Sequence, residues 1–194
     1  MTNHGHIDQI HTQRAPTQVL PYEILAKGPD KRMTIQRNLN NNAIAVMDGD
    51  GGWTRGKGAP ADIRPDLLEV AKLENAVMIP SQFTDLLSNL TVEGQEMVGE
   101  RNTWVVSGSS EWLPEVKLYF DQASGYLLSL SYQRKSGYCC HVFRNDYDNF
   151  LVTNGIRMPM QWTMNGPREQ VLVYRFDSAE IAPIDDARFA RPAP

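Results

Sequence analysis

The chain has 194 residues, 41% of them apolar and 22% charged, the balance of an ordinary globular domain with one core. Its 19 basic and 23 acidic residues give a net charge of −4 and no basic stripe, which excludes the usual nucleic-acid binders. No apolar run approaches the roughly 18 residues of a membrane span, and the polar start, Met1 to Pro16, has no apolar stretch of the export-signal kind. Either the protein is not exported or the numbering follows removal of such a signal.

Residues 1–17 read as a flexible arm, and 18–192 as one domain. The arm holds His4, His6 and His11, three of the four histidines, without a carboxylate or cysteine at matching spacing. A hairpin follows: Leu20 to Ala26, a Lys27-Gly-Pro-Asp30 turn, then Met33, Ile35 and Leu39 on one face, interrupted by Arg37, read as a snorkelling edge residue or, as the alternative, a polar anchor inside a cavity. Ala43 to Met47 opens a second hairpin, closed by Asp48-Gly-Asp-Gly-Gly52 before Trp53. The Asp-x-Asp spacing hints at a calcium loop, but a glycine stands where the third oxygen ligand is needed, so a glycine-rich turn is expected.

The only helical region comes next. Pro65 suits a first helical turn, with Leu67, Leu68, Val70 and Ala71 behind it. A second short helix is expected from Ser81 as N-cap, burying Phe83, Leu86, Leu87 and Leu90. Both are too short to stand without packing on a sheet. Strands then resume: Leu90 to Val98, Thr103 to Gly108, Val116 to Phe120, Tyr126 to Arg134, Tyr138 to Tyr147, Met158 to Met164 and Gln170 to Phe176. Alternation is clearest around Asp121-Gln-Ala-Ser-Gly125, where Val116, Leu118 and Phe120 precede the turn and Tyr126, Leu128, Leu130 and Tyr132 follow it. Gly99-Glu100, Asn154-Gly155 and Asn165-Gly-Pro167 mark further turns. The tail from Pro183 is proline-rich and expected to be extended.

Catalytic chemistry finds no foothold. The only cysteines are adjacent, Cys139 and Cys140, and strand neighbours point to opposite faces, so neither an ordinary disulfide nor a Cys140–His141 dyad is expected. Haem attachment would need C-x-x-C-H, and phosphate-cradling glycine motifs are absent. The expectation is a protein that is not an enzyme and needs neither cofactor nor metal. Met158, Met160, Trp162 and Met164 share one strand face at period two, a soft surface suited to an apolar ligand or to core packing. Together with Leu128, Leu130, Phe83 and Leu87 they are the candidate ligand-lining set.

Five strings in order carry a resemblance: Asp48-Gly-Asp-Gly-Gly-Trp53, Gly94-Gln-Glu-Met-Val-Gly-Glu-Arg-Asn-Thr-Trp-Val-Val106, Leu118-Tyr-Phe-Asp-Gln-Ala-Ser-Gly-Tyr-Leu-Leu128, Gly155-Ile-Arg-Met-Pro159 and Ile184-Asp-Asp-Ala-Arg-Phe189. Over residues 18 to 192 the chain resembles the outer-membrane lipoprotein-sorting superfamily, with its LolA/LolB-like fold. The resemblance implies a mainly β, α+β half-barrel: a strongly curved antiparallel sheet with two short helices packed on its concave side. It implies a periplasmic protein peripheral to a membrane. Sorting carriers of that family hold lipoprotein acyl chains, and a related domain is attached to photosynthetic reaction-centre cytochrome c subunits. The long N-terminal lid helix of the carriers has no counterpart before Val19, and the haem motif is absent. The expected function is therefore a non-catalytic accessory or scaffold subunit docking on a membrane protein complex such as a photosynthetic reaction centre, with an acyl-chain carrier as the alternative.

Overall fold

A computed structural model describes residues 1–11, 18–38, 42–136, 139–153, 155–168 and 170–192, with the side chains of 9–11, 136, 139 and 153 left aside. The strands are β1 (Thr2–His11), β2 (Gln18–Lys27), β3 (Lys31–Arg37), β4 (Asn42–Asp48), β5 (Gly51–Arg55), β6 (Ala61–Asp62), β7 (Ser88–Val98), β8 (Arg101–Ser109), β9 (Glu115–Asp121), β10 (Leu127–Ser136), β11 (Cys139–Thr153), β12 (Ile156–Asn165) and β13 (Gln170–Glu180). Among the described residues they form one open antiparallel sheet, in the order β6-β5-β4-β3-β2-β1-β13-β12-β11-β10-β9-β8-β7. The chain starts in the middle of the sheet and meanders out to β6. It crosses the concave face through helices α1 (Pro65–Ala76) and α2 (Phe83–Leu86), then meanders back from β7 until β13 meets β1.

The mainly β fold with two short helices is therefore as the periodicity predicted; most strand boundaries after Leu90 hold to within two residues, but β11 runs on from Tyr147 to Thr153 and β13 from Phe176 to Glu180. The arm does not. Thr2 to His11 is a central strand, paired with β2 on one side and β13 on the other; residues 12–17 lie outside the described part. Its polar sequence suits a strand whose backbone donors and acceptors are satisfied on both sides, a gain that side-chain patterning does not display. Gly5 is needed there. A β-bulge falls between His4 and Gly5, and a Cβ at Gly5 would sit 1.9 Å from the Arg175 carbonyl oxygen. Leu39 and Tyr138, placed on strands from the sequence, lie outside the described residues.

Ser81 does not cap α2. It sits in a 3₁₀ turn over Pro80–Gln82, and its carbonyl accepts from the Thr84 hydroxyl at 2.8 Å. Leu87 is already extended and Ser88 begins β7, so sheet pairing ends the helix before Leu90 can join it. Arg37 is exposed and donates to Glu23 at 3.1 Å, the edge role expected of it.

Both faces of the sheet are covered, by different segments. On the inner face, Val70, Leu73 and Val77 of the α1 segment pack with Phe83 and Leu87 onto Leu118, Leu130, Tyr132, Phe143 and Tyr147. On the outer face of β2 to β5, Leu25, Met33, Ile35, Val46 and Trp53 pack against the C-terminal segment through Ile184 and the fully buried Phe189. The Trp53 indole Nε1 donates to the Phe189 carbonyl at 3.0 Å. Met33 and Ile35 thus face this strap, and the opposite face of β3 is buried too, including Arg32. Truncating a buried phenylalanine removes its transfer energy and leaves a cavity. Phe189→Ala is expected to cost about 3–5 kcal/mol, read as a lowered urea midpoint at unchanged slope.

Candidate functional site: a pocket between helix and sheet

Helix α1 begins with Arg64 as N-cap and Pro65 in the first turn, where a missing backbone donor is harmless. Asp66 in that turn meets Arg64 at 2.8 Å and Arg134 at 3.5 Å. Further polar ties hold the helix to the strands and loops around it, among them Lys72, whose ammonium donates to Asp50 at 2.8 Å. Arg32 on β3 donates to Glu74 at 3.0 Å. The Asn75 amide donates to the Pro29 and Gly28 carbonyls at 2.8 and 3.3 Å. Glu69 accepts from the Ser110 hydroxyl and, at 3.1 Å, from the Trp112 backbone N–H.

Beside the Arg32–Glu74 tie lies a pocket with one apolar wall, Ile24, Val77, Met78, Met158, Pro159 and Trp162. The other wall is polar: Asn3, Arg32, Glu74, Asn145 and Tyr147. The cavity between the two walls is small, about 20 Å³, room for a single water-sized group as the helix sits. Trp162 is braced from behind by Tyr174 and Phe176, stacked at 4.9 Å each.

The candidate lining residues separate into four groups. Met158 and Trp162 reach the pocket. Met160 is buried beside them in a cluster with Ile24, Met158 and Phe176, while Phe83, Leu87, Leu130 and Met164 belong to the core under α1 and α2. Leu128 is a correction: it lines a wide outer groove with Arg101, Arg144, Asp146 and Thr163. The register shifts between Leu127 and Ser129, so Leu127 takes the inward place. One extra residue in a strand reverses which neighbour faces in.

Sequence reading missed the polar wall. One signal was present: Glu74 falls on the helical stripe of Val70, Leu73 and Val77, a carboxylate where an apolar residue would normally stand. Burial raises the Glu74 carboxyl above its ordinary range, a shift the Arg32 guanidinium only partly offsets. Burial also pushes Tyr22 up to about 12, and Tyr147 and Tyr174 well above the usual phenol value. Among the described residues no three His, Cys, Asp or Glu side chains converge as a metal site. Cys140 is a free, exposed thiol, and the Cys139 side chain lies outside the described part.

The open antiparallel sheet with two short helices is a fold shared with solved proteins of the LolA superfamily. The sequence matches no family profile and no curated protein. Among solved structures, a LolA superfamily protein from Nitrosomonas europaea superposes with a TM-score of 0.72 at 16% identity, over 97% of this chain and 89% of that one. An outer membrane lipoprotein-sorting protein domain from Vibrio parahaemolyticus gives 0.66 at 9%, over 97% and 88%. A DUF1329 family protein from Desulfovibrio piger gives 0.66 at 12%, over the same shares.

Two outcomes test the electrostatic reading. Glu74→Gln strands Arg32, which is only 4% exposed; because 26% of the Glu74 side chain meets solvent, the expected loss is about 2 kcal/mol, below that of a fully enclosed pair. A raised carboxyl binds its proton more tightly in the folded state, so its contribution is present below pH 4.5 and fades as pH climbs through the raised value. Urea midpoints across that range should show this fall in the wild type and not in Glu74→Gln. In alkaline titration, Tyr22, Tyr147 and Tyr174 should stay protonated past pH 10 and ionise only on unfolding or above it, which ultraviolet difference spectra record.

Proposed function

We propose that the protein is a non-catalytic periplasmic protein that binds an alkyl or acyl chain between α1 and the concave face of the sheet. The observation that carries the reading is the pocket at the α1 seam, where Met158 and Trp162 form an apolar wall beside the Arg32–Glu74 tie. In support, a solved protein of the same fold is described as a lipoprotein-sorting domain. The space is narrow, so a chain enters only as α1 lifts from the strands. That step breaks the few polar ties named above and leaves the sheet intact. Half-buried Met78 just beyond the end of α1 lines the pocket and gives the binding test its handle. Met78→Trp is expected to narrow the site and weaken uptake of a fluorescent fatty-acid analogue at least tenfold, about 1.4 kcal/mol, with an unchanged melting temperature. A wild type that takes up no alkyl probe at any concentration below the micellar limit would sink the reading.

A second reading, docking as an accessory subunit on a membrane protein complex, is favoured by one feature. The open end of the sheet exposes Val92 (62%), Met97 (56%) and Trp104 (45%) on β7 and β8, and among the described residues β7 has no partner along its outer edge. Long exposed apolar edges invite another chain. A photosynthetic reaction centre as the partner rests on the sequence resemblance alone. Trp104→Glu should abolish co-purification with membrane subunits after mild detergent extraction and leave alkyl-probe binding untouched; equal recovery of wild type and variant would rule this edge out as the contact.

A further inference from the structure

The polar wall of the pocket contains more hydrogen-bonding capacity than the protein uses. Asn3, Asn145 and Tyr147 are 3%, 1% and 8% exposed. The Asn3 side-chain oxygen finds no hydrogen-bond partner among the described residues, and the Asn145 side chain and the Tyr147 hydroxyl lie beside each other without a well-formed bond. All three residues line the same space. Leaving one such group unsatisfied is costly, and three around a single cavity point to something that belongs there. Arg32 and Glu74, the charged members of the wall, are already tied to each other.

The partner's chemistry follows from the groups that face it. Two carboxamides and a phenol can each be matched by a group that both donates and accepts, whichever way the amides are turned. A hydroxyl does this. A carboxylate only accepts, and it would lie against Glu74 with the one cation of the wall already engaged. An ammonium would be desolvated beside the Arg32 guanidinium. The facing wall of Ile24, Val77, Met78, Met158 and Trp162 offers nothing to a polar solute and suits an alkyl chain.

We infer that the pocket receives an uncharged amphiphile headed by hydroxyl groups, of the alkylglycerol or monoacylglycerol type, with its head on Asn3, Asn145 and Tyr147 and its chain along Met78, Met158 and Trp162. This rests on the chain-binding reading above and adds the class of head group.

Isothermal titration calorimetry at pH 8 with 1-octylglycerol and with octanoate, both below their micellar limits, tests it. The alkylglycerol is expected to bind at least tenfold more tightly than the carboxylate. Tyr147→Phe, which removes only one oxygen, and Asn145→Ala are each expected to cost several-fold to about tenfold in alkylglycerol affinity. Neither should alter octanoate binding. Circular dichroism melting checks that each variant is folded, and Tyr147→Phe alone suffices should Asn145→Ala fail to fold. Equal affinity for the two probes, or equal losses for both in the variants, would overturn the head-group assignment and leave chain binding standing. Binding of neither probe would overturn both and leave ordered water as the only occupant of the polar wall.

Discussion

Everything in this molecule hangs on one seam, the pairing of β1 with β13. Each half of the chain builds its own meander, and only this contact joins them into a single sheet. The seam is tight. Gly5 admits the Arg175 carbonyl where any side chain would collide, and Asp8 forms an ion pair with Arg175 across it. It also places Asn3 on the pocket wall opposite Met158, so the seam and the site share residues.

The two faces of the sheet are treated differently. The outer face of β2 to β5 is closed by the strap that ends in Phe189, held by burial and one indole hydrogen bond. The inner face is closed by α1, whose underside is apolar but whose attachments include a buried ion pair and two carbonyl contacts. Apolar burial is non-directional, whereas ion pairs and amide contacts hold one geometry. The helix is thereby fixed in register over the sheet, and the pocket beside Glu74 keeps its shape. A buried pair of this kind adds little net stability; its contribution is position.

Much of this was legible in the residues. Period-two alternation and turn chemistry located β2 to β5 and β7 to β13, because side chains there are sorted by face. Pro65 marked α1 correctly. The misreadings share a cause: contacts from distant parts of the chain outweighed local pattern. β1 carries almost no apolar signal and is held by backbone pairing on both sides. Ser81 has the chemistry of a cap, but the demand for β7 ended the helix early. Leu128 lost its inward place to a one-residue bulge. Arg32 is buried although it alternates with the buried Met33, because the outer face of β3 is covered by a segment some 150 positions downstream while Arg32 meets Glu74 on the other face. No window on the sequence could show that Asn145 and Asn3 lie together.

The topology also sets an order of events. Nearly every strand pair is a hairpin between neighbours in sequence and can zip locally, but the seam joins Thr2 to Glu180 and His11 to Gln170. Loop closure over that distance is the slowest and least rewarded step of assembly. β1 is made before its final partner β13, and until the seam closes one side of β1 is a bare edge at what will become the centre of the sheet. A strand with few apolar side chains is the safest one to leave waiting there. The polarity that disguised β1 in the sequence thus leaves that unpaired edge with few apolar side chains to draw in a wrong strand.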